Sequence, residues 1–153
     1  INFYYQTCGK HISREIFLDL APHALGFFLS LSGIVKNPKL LIKKIIVKKK
    51  SFKCYCLINN VIFNFNLIQD STKKNSIFKF EINNHKVTRI TKLKNNNFQN
   101  YLKLNKKILP VANPMAKVIK DYLKENYYNT YKINKELTYT ITKMTQKIYD
   151  QSF

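Results

Sequence analysis

The side chains with the plainest chemistry in this chain are lysines. Lys36, Lys39, Lys43, Lys44, Lys48, Lys49, Lys50 and Lys53 fall close together, and no acid stands between Asp19 and Asp70. An ammonium is a point charge on a flexible stem, suited to attracting phosphate rather than to reading base edges. If Lys48-Lys49-Lys50-Ser51 turns between two strands, three ammonium groups project together at a hairpin tip. Phe52 and Tyr55 stand beside the run and would suit stacking on unpaired bases. A solvated basic face over buried aromatics is the competing account of the same residues. A second cluster, Lys86, Arg89, Lys92, Lys94, Lys103, Lys106 and Lys107, either continues that face or lies opposite it. Together these cations are the candidate RNA-binding residues.

Other chemistry is sparse. Cys54-x-Cys56 puts two thiols on one side of a strand, but Cys8, His11, His23 and His85 supply no second pair at ligand spacing, so no metal is expected. Nearly all of His11, Ser13, Glu15, Asp19 and His23 would lie along one or two helical turns, where capping and surface pairing account for them. No phosphate-cradling glycine loop, nucleophile elbow or zinc-protease signature occurs. The chain is therefore read as non-enzymatic, with no catalytic residue, no cofactor and no small-molecule substrate.

The elements that must position the lysines follow from composition and pattern. The 153 residues amount to one domain's worth of chain, 45% hydrophobic, which is too apolar for a disordered tail. Twenty-seven Lys and Arg against eight Asp and Glu give +19. Such an excess repels itself in the compact state and calls for a polyanion. It is also unevenly placed. Residues 1–35 are net neutral, residues 36–107 carry +16, and residues 108–153 carry +3. Lys (25), Asn (18) and Ile (18) abound while Gly (3) and Arg (2) are rare, as AT-rich coding dictates. AT pressure does not deplete Asp and Glu, so the shortage of acids is a property of this protein.

The expected fold is α+β in a single domain, 1–153. Residues 1–35 read as helical, with Ile16, Phe17, Leu20, Ala24, Phe27, Phe28 and Leu31 at three- and four-residue steps, a break near Pro22 and an end at Ser32-Gly33. Residues 36–107 read as a central antiparallel sheet of four to five strands, built from hairpins around Asn59-Asn60 and Asn83-Asn84-His85. Residues 95–100 read as a polar loop. Residues 108–153 read as C-terminal helices, one starting at Asn113-Pro114. Residues 137–148 suit either a helix capped by Asn134 or a strand, the helix being preferred. No apolar run reaches the ~20 residues of an uninterrupted membrane span. The chain starts with Ile1, consistent with a fragment, a processed product or a non-standard start codon. The odd cysteine count points to a reducing compartment.

The profile resembles proteins encoded in very AT-rich organelle genomes, such as those of ciliate mitochondria, whose soluble and very basic products are mostly ribosomal. The resemblance is one of composition over the whole chain. It implies a structural constituent of a mitochondrial ribosome in the organellar matrix, binding rRNA through lysine–phosphate contacts beside neighbouring ribosomal proteins. The alternative is a soluble accessory subunit of an inner-membrane respiratory or ATP-synthase complex, its lysines facing anionic lipid.

Overall fold

The computed structural model describes residues 1–34, 36–72, 76–94, 97–111 and 127–153, with side chains described for these except 91–94, 97–98 and 127–134. The chain runs β1 (Asn2–Thr7), α1 (Arg14–Ser32), β2 (Leu40–Lys48), β3 (Ser51–Ile58), β4 (Val61–Gln69), β5 (Ile77–Ile82), β6 (His85–Lys94), β7 (Asn97–Leu104), β8 (Lys107–Val111) and α2 (Tyr127–Asp150). The class is α+β, but the four- to five-strand antiparallel sheet expected from the sequence is corrected. Among the described residues there are eight strands in one mixed sheet, ordered β2-β3-β4-β1-β5-β6-β7-β8.

Three strands account for the difference. β1 comes from the neutral segment expected to be helical. It inserts between β4 and β5, parallel to the first and antiparallel to the second, and so welds the two hairpin units into one sheet. Its alternation explains the insertion: Phe3 is buried while Asn2 and Tyr4 stand on the other face. β7 takes in most of the stretch expected to be a polar loop, and β8 forms from residues expected to lead into a helix.

The hairpin turns are made by asparagine. Asn59 (φ 48°), Asn60 (φ 67°), Asn83 (φ 46°) and Asn84 (φ 68°) occupy the left-handed region that two-residue turns between twisted strands require. Asn tolerates that region better than other non-glycine residues, which suits a chain with so few glycines. Lys49 and Lys50 form the turn between β2 and β3, closed by the Lys48–Ser51 pair.

α1 lies across β1, β3 and β4 and buries Ile16, Phe17, Leu20, Ala21, Ala24, Leu25, Phe28 and Leu29. Pro22 sits inside this helix rather than ending it. The carbonyl four residues earlier, which Pro22 cannot satisfy, belongs to exposed Leu18, where water can serve instead. Gly33 closes the helix at φ 66°. α2 packs beside α1 through Thr140, Met144 and Ile148, close enough that a Cβ on Gly26 would meet Ile141 Cδ1 at 3.2 Å. Residues 137–148 are thus helical, and α2 begins upstream of the cap expected at Asn134. The helix expected from Asn113 lies outside the described residues.

The core is aromatic. Phe17, Phe28, Phe52, Phe63 and Phe65 are wholly or almost wholly enclosed between α1 and the sheet, each contributing about 1.5–3 kcal/mol by burial. Phe17 and Phe52 meet at 4.6 Å between ring centres, as do Phe28 and Phe63. By length and composition α1 could cross a membrane, yet its apolar side is what the sheet covers.

Candidate nucleic-acid interface

α1 covers one face of the sheet, and α2 packs beside α1 on that same side. What occupies the other follows from pairing, because cross-strand partners share a face and successive residues alternate. One row on the uncovered face runs Lys44, Tyr55, Asn64, Asn2, Glu81 and Lys86 across six strands. The next runs Ile46, Lys53, Asn66, Tyr4, Lys79, Thr88, Lys103 and Ile108 across all eight. A third carries Lys48 beside Ser51 and Ile68. Among the described side chains, six lysines therefore share this face with a single acid, Glu81.

At the centre of these rows is a cleft of about 530 Å³, with Tyr4, Tyr55, Lys53, Lys79 and Lys86 on its walls. The Lys79 ammonium lies 5.5 Å from the centre of the Tyr4 ring. Tyr4 donates its hydroxyl to Gln6 Oε1 at 2.7 Å, and burial pushes its phenol up from the ordinary range. Asn64 Nδ2 donates to Asn2 Oδ1 at 2.9 Å. Asn66 Oδ1 is enclosed without a hydrogen-bond partner among the described residues. Lys53 and Lys79 stand three strand spacings apart in their row, about 14 Å, beyond the Debye length of physiological salt. They can therefore coexist on the face without a counter-charge between them.

The structure brings together only part of the cation set expected from sequence. Lys44, Lys48, Lys53, Lys86 and Lys103 share the uncovered face. Lys49 and Lys50 stand at the β2–β3 turn, and Lys50 is held by Asp70 at 3.1 Å. Hydrogen bonds from Thr72, and then the Lys50 ammonium, hold the Asp70 carboxyl down at about 2. Lys36 reaches Glu136 of α2 at 3.1 Å, Lys39 precedes β2, and Lys43 sits at a bulge in edge strand β2. Arg89 pairs with Phe78 on the helix side and lies 5.3 Å from its ring. Lys106 stands in the β7–β8 turn and Lys107 opens β8. The Lys92 and Lys94 side chains lie outside those described. Of the two aromatics beside the run, Tyr55 is exposed on this face, whereas Phe52 belongs to the core. Sequence reading missed Lys79 and Tyr4. The alternation in Ile77-Phe-Lys-Phe-Glu-Ile was the available signal for Lys79.

A second polar cluster gathers at the carboxyl ends of the parallel pair β1 and β4. The buried Gln69 side chain accepts the His11 N–H at 3.1 Å and donates to Asp19 Oδ2 at 2.5 Å. Glu15 accepts the Ile12 N–H, and the His23 ring lies edge-on to Tyr5 at 5.9 Å. These bonds tie the loop before α1 to the sheet. Cys54 and Cys56 face the core, where their mutual hydrogen bond and burial push the Cys54 thiol up. Among the described residues no group of three His, Cys, Asp or Glu is placed to hold a metal ion.

No protein-family model matches this sequence, and no curated protein does. A similar fold occurs in the solved structure of the UDP-N-acetylglucosamine 3-dehydrogenase GnnA from Acidithiobacillus ferrooxidans, with a TM-score of 0.51 and 12% identity. The likeness covers 93% of this chain and 51% of that one, so this chain spans about half the length of its structural neighbour. At that identity the likeness concerns the fold alone.

Proposed function

We propose that the chain binds RNA by seating the uncovered sheet face on phosphates, as a structural constituent of an organellar ribosome in the mitochondrial matrix would. The observation that carries this reading is the six-to-one excess of lysine over acid, among the described side chains, on the face that neither described helix covers. Lysines on such a face keep their heads in solvent until phosphates replace the water, and the gain comes from counterions released from the RNA. The apolar row Leu41, Leu57 and Ile62 at the end of that face offers a seat for a protein neighbour. Binding to a structured RNA fragment, followed across a salt series, tests the proposal. The logarithm of affinity should fall linearly with the logarithm of salt, with a slope near −0.9 per phosphate neutralised on a duplex. A flat response sinks it, as does tighter binding to anionic vesicles that RNase treatment leaves unchanged.

The fold likeness favours a second reading. On that likeness the chain would be a relative of part of such an enzyme, taking an anionic sugar nucleotide as its ligand. Its contribution would lie at the carboxyl ends of β1 and β4, the position at which open sheets with parallel strands receive ligands, where Glu15, Asp19 and His23 are exposed. Calorimetry with UDP-N-acetylglucosamine separates the two readings. Saturable binding that is lost in Asp19→Asn and His23→Ala, together with salt-insensitive or absent RNA binding, would select the second.

A further inference from the structure

We infer that the cleft at the centre of the uncovered face takes unpaired nucleotides, stacking a base on Tyr55, so that the protein prefers single strands to duplex of equal charge. The inference rests on the RNA reading above and adds the form of RNA that this site accepts. Two observations carry it. The face carries an open cleft of about 530 Å³ with Tyr4 and Tyr55 on its walls, a depression in which a flat ring could settle. Tyr55 is exposed on the cleft wall, paired with Lys44 on one neighbouring strand and Asn64 on the other, with Lys53 two residues away on its own strand, so a stacked base would have two ammonium groups close by for its phosphates. A duplex keeps its base faces stacked inside and can meet none of these groups except the lysines.

The experiment compares a single-stranded RNA of about 12 nucleotides with a blunt duplex of the same length, both within the size range that stacking platforms engage. The wild-type chain should bind the single strand more tightly. Tyr55→Leu should weaken single-strand binding by about 5- to 100-fold and leave duplex binding and the salt slope unchanged. Tyr55→Phe, which keeps the ring, should retain the wild-type preference. Equal or tighter duplex binding by the wild type overturns the inference. So does a Tyr55→Leu protein, folded by circular dichroism, that binds the single strand as before, or a Tyr55→Phe protein that loses as much as Tyr55→Leu. Charge reversal at Lys53 and Lys79 serves as the separate control. If it weakens neither RNA, the underlying RNA reading fails. If it weakens both while the tyrosine variants change nothing, only the stacking inference falls.

Discussion

Lys79 on β5 stands directly across from Tyr4 on β1, its ammonium 5.5 Å from the centre of the tyrosine ring. Neither residue belongs to the lysine run that dominates the sequence. The sheet topology makes them neighbours, because β1 threads between the two hairpin units and carries Tyr4 into the middle of the basic face. The interface is thus assembled from three separate stretches of chain, with β1 as the piece that joins the two hairpin units.

The core should be intolerant at Phe52. Its ring is wholly buried against Phe17, and truncation leaves a cavity between α1 and the sheet. Phe52→Ala should cost about 3–5 kcal/mol, read as a lower denaturant midpoint in an unfolding titration.

Gly9 is required for space rather than for conformation. A Cβ there would fall 2.3 Å from Gln69 Oε1. Gly9→Ala should displace the Gln69 amide from the His11 N–H and from Asp19, destabilising by roughly 1–3 kcal/mol. Gly9→Ala combined with Gln69→Ala should be less than additive, since both disrupt the same contact.

The asparagine turns set a conformational test. Asn60 and Asn84 hold φ of 67° and 68°, where a β-branched side chain is strained. Val at either position should cost about 1–2 kcal/mol, and Gly should be neutral or better. Thermal unfolding of the four variants reads both signs.

Asp70 gives the chain an acid-sensitive contact. Its carboxyl is held at about 2, below the ordinary 3.8, by Thr72 and then Lys50. A depressed folded-state value means that the contribution is present above the unfolded value and is lost as pH falls through the folded one. Asp70→Asn should be less stable than the wild type near neutrality, and the difference should close as pH falls through those two values. Denaturant unfolding at several pH values measures this.

Much of this architecture was legible in the residues. The Asn59-Asn60 and Asn83-Asn84 turns could be read because a side chain that tolerates positive φ stands between two β-branched stretches. The core side of α1 could be read from its three- and four-residue steps. Parity was the signal that separates Phe52 from Tyr55, both stacking candidates by sequence: Phe52 alternates in step with Cys54 and Cys56 and is buried with them, whereas Tyr55 points the other way. β1 was not legible, because a six-residue strand whose partners begin some sixty positions later leaves no local trace of where it inserts. β7 was hidden by its asparagines, which look like loop until Tyr101 and Leu102 are paired with β6 and β8. The basic run signalled charge but not its direction. Its lysines divide among the uncovered face, the β2–β3 turn and the helix side, and only strand register separates them.

The most direct test of the account compares two charge reversals of equal size. Lys53→Glu with Lys79→Glu alters the uncovered face, whereas Lys135→Glu with Lys143→Glu alters exposed positions on α2, against the other face. Affinity for an RNA fragment at about 0.15 M salt should fall roughly 10- to 100-fold in the first protein, with a shallower salt slope, and change little in the second. Equal losses in both proteins would mean that net charge alone drives the association, and a larger loss from the α2 pair would contradict the assignment of this face.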